Sequence, residues 1–211
     1  MKIFDIFPTP VWLTQLEPDQ AARINGEAID LVERLRRETG GIAEGDRWQT
    51  ANNLEDRPEL AELMAVVMES AGAALDSLRI QHKGYLVTGC WANIKPEGAG
   101  HRPHTHPNNY LSGVYYVRTP RQGGRIVFHD PRIQPTLMAP RVSAENQYNC
   151  PRANLPVREG MLILFPAWLT HSVESNPEDL DRISIAFNVM FKNYGEEIAR
   201  PRWEFQPGEQ T

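Results

Sequence analysis

YLVTGCWANI, at residues 85–94, is the first of five short segments that are rich in β-branched and aromatic residues. Pro, Gly and Asn residues separate these segments, as is typical of the turns between β-strands. The other four segments are Leu111–Val117, Arg125–Phe128, Met161–Phe165 and Arg182–Phe191. This pattern predicts an all-β domain of at least five strands, folded as a barrel or a sandwich.

Two amphipathic helices are predicted before the strands. Apolar residues recur at helical spacing between Asp19 and Arg37, and a second apolar stripe extends from Leu60 to Leu78. Residues 56–59, DRPE, precede the second stripe and have the form of a capping box. Residues 1–16 alternate loosely and contain prolines, which predicts an edge strand or an extended lead-in. We expect the helices to pack against one sheet.

The domain organisation that we predict is a single domain over residues 1–211. Residues 1–82 would form the lead-in and two helices that support a barrel at 83–193, and residues 194–211 would form a C-terminal extension. Residues 131–157 contain several prolines and almost no periodicity. Such a segment inside a compact domain predicts a functional loop or a lid.

The composition argues against several classes of partner. The net charge is −5 and no run of Lys and Arg occurs, so neither a nucleic acid nor an anionic membrane surface is expected. No apolar stretch approaches the roughly 20 residues of a membrane span, and the first residues lack the features of a signal peptide. Cys90 and Cys150 are the only cysteines, which favours a reducing, cytoplasmic location over a disulfide framework. A homodimer is left open as the assembly.

Three of the histidines fall within residues 101–106, and two of them form the H-x-H pair His104-Thr105-His106. On an extended segment, residues i and i+2 point to the same face, so both imidazoles could reach one metal ion. Imidazole binds iron, zinc, copper or nickel. The alternative is a pair of polar loop histidines bonded to backbone or water, and the H-x-H pair alone favours that alternative.

Two other residues, which occur much later in the chain, make a metal site more plausible than polar loop histidines. His171 follows a predicted buried strand closed by Pro166, so it could project into the mouth of a barrel, or it could be a solvent-facing loop residue. Arg182 opens a predicted strand with Ile183-Ser184-Ile185, a run that is apolar apart from Arg182 and Ser184. A buried arginine needs an anionic partner, which could be a structural Asp or Glu or the carboxylate of a ligand. Together the three histidines and the arginine form a specific constellation.

Five blocks of sequence carry a resemblance to a known family. They are Pro96–His106, Leu111–Val117, Gly123–Phe128, Gly160–Phe165 with His171, and Arg182-Ile-Ser184. In this order they resemble the 2-oxoglutarate- and iron(II)-dependent oxygenases, particularly the prolyl-hydroxylase-like branch. The chain is similar to a bacterial group that contains HTHPN followed by SGVYYV, over roughly residues 85–191. The resemblance implies a mainly β fold with flanking helices, the double-stranded β-helix or jelly-roll barrel that cupins share.

The resemblance also implies an activity and a site. It implies a dioxygenase, and a hydroxylase in particular, which couples the decarboxylation of 2-oxoglutarate by O2 to the oxidation of a primary substrate. No catalytic residue is expected beyond the ligands of the iron(II). The implied residues are His104, His106 and His171 for the metal and Arg182, Ser184, Tyr116 and Asn93 for 2-oxoglutarate. For Asn93, a structural hydrogen bond is an equal alternative.

One position departs from the family pattern. Oxygenases of this type usually carry a carboxylate where His106 stands, which gives two histidines and one carboxylate around the iron. The site would therefore have three imidazoles, or a carboxylate from elsewhere. Asp130 is the nearest candidate, but it ranks below His106 because it comes from a different strand end. His101 could be an outer-shell group or a surface residue, and we favour the surface.

Two competing functions remain. One is a cupin-like dioxygenase or isomerase that uses three histidines without 2-oxoglutarate, and the other is a non-catalytic metal-binding β-barrel. Arg182 and Tyr116 argue against the first, because a cupin has no need of an arginine placed for a dicarboxylate. Open coordination positions would argue against a closed structural metal site. We expect substrate contacts in the 131–157 loop, the polar 40–55 loop and Asn108-Asn109.

Overall fold

The computed structural model describes residues 1–40, 47–121, 124–133 and 137–193. These residues form two α-helices, a 3-10 turn and ten β-strands. The helices are α1 (Pro18–Glu38) and α2 (Ala61–Ser77), and the 3-10 turn Pro58–Leu60 precedes α2. The strands are β1 (Trp12–Gln15), β2 (Trp48–Gln49), β3 (Tyr85–Lys95), β4 (His101–His104), β5 (Leu111–Arg118), β6 (Arg125–His129), β7 (Arg152–Pro156), β8 (Met161–Pro166), β9 (His171–Val173) and β10 (Arg182–Phe191).

The strands form two antiparallel sheets. The larger sheet has the order β1-β8-β5-β10-β3-β2, and the smaller one has the order β4-β9-β6-β7. Apolar side chains of both sheets meet in one cluster, with Tyr116, Ile163 and Phe165 from the larger sheet and Ile126 and Phe128 from the smaller one. The two sheets therefore enclose a common interior, and the predicted mainly β jelly-roll fold is confirmed.

Alternation along the central strands separates two environments. In β10, Ile183, Ile185 and Phe187 belong to the core that the larger sheet shares with the helices. Arg182 and Ser184 are buried as well, but they line the interior between the sheets. Because successive side chains of a strand point to opposite faces, one strand supplies both an apolar core and polar groups for a cleft.

The helices cover the outer face of the larger sheet. In α1 the buried residues recur at helical spacing, at Ala21, Ile24, Ala28, Leu31 and Val32. Pro18 lies in the first turn of α1, where its missing amide proton costs nothing. The Tyr115 hydroxyl of β5 donates to Asn25 Oδ1 of α1 at 2.8 Å. The expectation that the N-terminal helices pack on one sheet is thus confirmed.

The prediction of a loop at 131–157 is wrong for the last part of that segment, because residues Arg152–Pro156 form β7. This strand pairs with β6 from Arg125↔Pro156 to His129↔Arg152 and forms an edge of the smaller sheet. Four of its five residues are exposed, so it lacks the alternation of apolar and polar residues that marks a half-buried strand. Its proline is tolerated because an edge strand leaves one row of backbone groups unpaired.

Two smaller expectations also fail. The capping box at 56–59 is absent, since Arg57 precedes the 3-10 turn and no side chain caps that turn. The polar 40–55 loop includes β2, which adds a short edge strand to the larger sheet through Trp48↔Ile94. Parts of four predicted segments lie outside the described residues, namely 41–46, 122–123, 134–136 and the C-terminal extension 194–211. Within the described part of the chain, neither helix has the length and apolarity needed to cross a membrane.

Replacing Gly113 with alanine should destabilise the fold, whereas Gly26→Ala should stabilise it. A Cβ on Gly113 would meet the Phe187 ring and lie 2.9 Å from the Ile163 carbonyl oxygen, whereas a Cβ on Gly26 of α1 would meet nothing within 4 Å. We expect a loss of about 1–3 kcal/mol for the first variant and a gain of about 0.5–1 kcal/mol for the second. Urea-induced unfolding measures both, and equal stabilities of the two variants would contradict this packing.

Candidate active site

A cleft lies between the two sheets, and residues of both sheets line it. All seven residues that the sequence predicts for the metal and for 2-oxoglutarate line it: Asn93, His104, His106, Tyr116, His171, Arg182 and Ser184. The structure therefore brings the whole predicted set together, although these residues come from β3, β4, β5, β9, β10 and the segment after β4. Their chemical roles stay predictions.

Three imidazoles converge at one part of the cleft. His104 ends β4, His171 begins β9, and the two residues pair across the smaller sheet. His106 lies beyond the end of β4, where its amide donates to the Ala167 carbonyl oxygen at 2.9 Å. One nitrogen from each ring lies within 4.8 Å of the others, and the Nε2 atoms of His106 and His171 are 3.4 Å apart. Two nitrogens that each bind one metal at about 2.1 Å and at right angles would be about 3 Å apart, so the geometry fits a shared metal ion.

Backbone carbonyls orient two of these rings. Nδ1 of His104 lies 2.8 Å from the Arg102 carbonyl oxygen, and Nδ1 of His171 lies 3.0 Å from the Leu169 carbonyl oxygen. A carbonyl only accepts, so each Nδ1 carries the proton and each Nε2 keeps a lone pair. This arrangement is the usual way in which a protein fixes the tautomer of a metal-binding histidine.

Burial keeps the three imidazoles neutral. It lowers the pKa of His171 to about 3 and that of His106 to about 4, and it lowers the pKa of His104 as well. Neighbouring imidazoles add smaller contributions in the same direction for His106 and His171. Histidine must be deprotonated to bind a metal ion, so at neutral pH protons compete little for this site. Neutral imidazoles also suit iron(II) as ligands.

Asp130, the alternative ligand, is occupied elsewhere. Its two carboxylate oxygens accept from Nε and Nη2 of Arg132 at 2.9 and 2.8 Å, and this ion pair holds the pKa of Asp130 below its usual value. Among the described residues, the group placed to hold a metal contains only the three histidines. The geometry therefore favours His106 over Asp130 as the third ligand.

Arg182 lies in a different part of the same cleft, 2% exposed. Its Nη2 donates to the Glu174 carbonyl oxygen at 2.8 Å, whereas Nη1 is buried and has no hydrogen-bond partner within the described part of the chain. None of the ion pairs found among the described residues involves Arg182. A buried guanidinium nitrogen without a partner is costly, so the Nη1 proton is available for an anionic ligand.

A glycine makes room for this guanidinium. Gly124 has φ +67°, and a Cβ at this position would collide with Arg182 Nη1. Both the backbone conformation and the close approach require glycine here. The second glycine of the Gly123-Gly124 pair, which is part of the family resemblance, is therefore required by its backbone conformation and by the space that Arg182 occupies.

The remaining predicted residues lie beside Arg182. Ser184 pairs with Asn93 of β3 on one side and with Tyr116 of β5 on the other, so three polar side chains form a row across the cleft. Burial raises the pKa of Tyr116, against a smaller opposite effect of Arg182, so its hydroxyl stays protonated. This row can offer hydrogen bonds to a ligand that reaches from the imidazoles towards Arg182.

Other residues line the cleft as well, among them Trp91 and Lys95, for which no role is predicted from the sequence, and His101. His101 is not a surface residue as we favoured, since its ring stacks on that of His104 with the centroids 4.1 Å apart. Trp91 and Lys95 occupy alternate positions of β3 with Asn93, so they share its inward face. That spacing could have revealed them, because a lysine at the inward position of an otherwise apolar strand needs an explanation.

Comparison with known proteins finds one family model that is similar to the part of the chain that forms the cleft. Residues 89–188 match the family described as "Putative 2OG-Fe(II) oxygenase". No curated protein sequence matches the chain.

Solved structures share the fold at low sequence identity. AviO1 from Streptomyces viridochromogenes is 17% identical, with a TM-score of 0.60 over 88% of this chain and 91% of AviO1. A Pseudomonas putida prolyl-4-hydroxylase is 14% identical, with a TM-score of 0.58 over 88% of this chain and 94% of the hydroxylase. HygX from Streptomyces hygroscopicus, solved with nickel and 2-oxoglutarate bound, is 12% identical, with a TM-score of 0.61 over 88% of this chain and 84% of HygX.

Removing any one of the three imidazoles should abolish stable iron binding. We expect His104→Ala, His106→Ala and His171→Ala each to weaken binding by more than the roughly 10–100-fold that loss of an outer-shell partner costs. His129→Ala is the matched control, because His129 contacts Ser172 Oγ at 2.9 Å and is not in the cluster. Metal content after anaerobic loading and gel filtration measures the effect. Full occupancy in His106→Ala together with loss in Asp130→Ala would show that the ligand set is wrong.

Proposed function

We propose that this chain is a 2OG-Fe(II) oxygenase, in which His104, His106 and His171 hold iron(II) and Arg182 anchors 2-oxoglutarate; the match of residues 89–188 to that family supports the proposal. The reaction that we propose is hydroxylation of a primary substrate, coupled to the decarboxylation of 2-oxoglutarate with O2 as the oxidant. We also propose a cytoplasmic location, since both cysteines are free thiols and iron(II) chemistry suits a reducing compartment.

One observation carries the assignment of Arg182. Its buried Nη1 has no partner, and neither Asp nor Glu is among the residues that line the cleft. A guanidinium with a purely structural role would be expected to pair with a buried carboxylate, because an uncompensated buried charge costs several kcal/mol. A ligand carboxylate would supply the missing partner only when it is bound.

The chain's own residues bind and orient the co-substrate in this proposal. Arg182 Nη1 donates to the tail carboxylate, and the protonated Tyr116 hydroxyl and the Ser184 hydroxyl provide further hydrogen bonds beside it. Trp91 packs on His106 with the ring centroids 5.8 Å apart, and Phe165 packs on His171 at 4.5 Å, so aromatic rings limit the access of water to the imidazoles. When bound, iron(II) supplies the redox chemistry that links 2-oxoglutarate, O2 and substrate.

The all-imidazole ligand set affects the charge of the site. A carboxylate in place of His106 would contribute one negative charge, and three neutral imidazoles contribute none. The cleft therefore stays more positive, which favours a dianion such as 2-oxoglutarate as the ligand. Three protein ligands also leave coordination positions open, which is a feature of catalytic metal sites rather than structural ones.

The competing cupin-like function makes a different use of the same histidines. A three-histidine enzyme without 2-oxoglutarate would gain nothing from a buried, unpaired arginine in the cleft and a glycine that accommodates it. These two features support the 2-oxoglutarate-dependent reaction over the cupin-like alternative.

Substituting Arg182 should abolish stabilisation by 2-oxoglutarate. A ligand that binds only the native state at 100 times its Kd stabilises it by about 2.7 kcal/mol, which is roughly 5–10 °C in Tm for a domain of this size. We expect this shift in the manganese-loaded wild type under argon and little shift in Arg182→Ala. Arg182→Lys should restore little, because an ammonium cannot reproduce the planar fork. Thermal denaturation with 2-oxoglutarate, and with succinate as the weaker ligand, measures the shifts.

Arg23→Ala serves as the matched control, since Arg23 is exposed and contacts Glu62 and the Asp19 carbonyl oxygen, outside the cleft. An Arg182→Ala protein that keeps the full 2-oxoglutarate shift would show that Arg182 is not the anchor. A wild type without any shift would favour the cupin-like function.

A further inference from the structure

Lys95 is a second buried cation in the cleft. It is the last residue of β3, it is 5% exposed, and it lines the cleft with Asn93 and Trp91. Lys95 and Arg182 are direct partners across the β3–β10 ladder. Directly opposed side chains on one face of an antiparallel pair have Cβ atoms about 4.5–5.5 Å apart, so the two cations are neighbours.

No protein group neutralises Lys95 among the described residues. In the part of the chain that the structure describes, no hydrogen bond or ion pair of the Lys95 ammonium is found, and the carbonyl oxygen of Lys95 accepts from Asn176 Nδ2 at 3.0 Å. Burial, together with smaller effects of the charges of Arg182 and Arg47, lowers the pKa of Lys95 to about 7. Two like charges side by side in a buried cleft are unfavourable without an anion, so their juxtaposition is evidence of a ligand.

We propose that Lys95 and Arg182 jointly bind the tail carboxylate of 2-oxoglutarate and that Lys95 makes the site selective for a dicarboxylate. This inference rests on the proposed use of 2-oxoglutarate. A carboxylate has two oxygens and about four lone pairs, so it can accept from Arg182 Nη1 and from the Lys95 ammonium at the same time.

The register of the sheet places Lys95 in the same layer as Arg182, the residue proposed to hold the tail carboxylate, although the charge of Lys95 also lowers the pKa of His101, His104 and His171. The Asn93–Ser184 pair lies next along the ladder, and the Trp91–Ala186 pair follows it. Trp91 is the residue that packs on His106. Lys95 is thus two layers from the tryptophan beside the metal ligands and in the same layer as Arg182.

The test compares two 2-oxo acids of equal chain length. 2-Oxoglutarate carries the tail carboxylate, and 2-oxopentanoate has a methyl group in its place. Calorimetric titration of manganese-loaded protein under argon gives the affinity for each in wild type, Lys95→Met, Lys95→Gln and Lys95→Arg. Lys83→Met is the matched control, because Lys83 is exposed and the variant loses the same charge away from the cleft.

We expect Lys95→Met and Lys95→Gln to weaken 2-oxoglutarate binding about 10–100-fold, the value of one charge-assisted hydrogen bond. Both should leave the affinity for 2-oxopentanoate within about twofold of wild type. Lys95→Arg should restore part of the loss, and Lys83→Met should bind as wild type does. The ligand-free Lys95→Met protein should also have a higher Tm than wild type, because it lacks an uncompensated buried charge.

Three results would overturn the inference. Unchanged 2-oxoglutarate affinity in both neutral variants would show that Lys95 does not contact the tail. An equal loss for both 2-oxo acids would show that Lys95 supports the metal site or the fold instead. A wild type that binds no 2-oxoglutarate would contradict the proposed function itself, which separates that failure from a failure confined to Lys95.

Discussion

The properties of the cleft depend on buried positive charge that no ion pair among the described residues neutralises. Arg182 and Lys95 share one layer of the cleft, and no carboxylate lines that cleft among the described residues. Charges of this kind destabilise a fold unless a ligand compensates them. Binding of an anion would remove this unfavourable contribution. The electrostatics of the cleft therefore favour a dicarboxylate co-substrate.

The central strands have one apolar face and one polar face, and the apolar face offsets the unfavourable free energy of the buried charges. β3 and β10 direct Cys90, Ala92, Ile94, Ile183 and Ile185 into the core under the helices, and the alternate positions hold the polar groups of the cleft. The apolar core stabilises the sheet, so the opposite face can carry unfavourable charges. A single-residue shift in register would exchange the two faces, and the same pairing therefore fixes both the core and the site.

Much of this arrangement is readable from the sequence, and the failures have physical causes. The central strands and α1 are predicted well because alternation and helical spacing are strong signals in half-buried elements. β7 was not predicted, because an exposed edge strand has little apolar pattern. The predicted capping box is absent, because a 3-10 turn precedes the second helix. Lys95 and His101 were missed because their burial depends on pairing with Arg182 and Val173, contacts between residues distant in sequence. The convergence of His104, His106 and His171 was predicted only because several motifs occurred in a recognisable order.

The central claim is that the three imidazoles would hold one iron(II) and that the 2-oxo acid end of 2-oxoglutarate would bind to this iron. Visible absorption under strictly anaerobic conditions tests it most directly, because chelation of iron(II) by a 2-oxo acid gives a metal-to-ligand charge-transfer band. The account predicts that this band appears when 2-oxoglutarate is added to the iron(II)-loaded protein and not when succinate, which lacks the keto group, is added. A protein that holds iron(II) and shows no such band at saturating 2-oxoglutarate would contradict it.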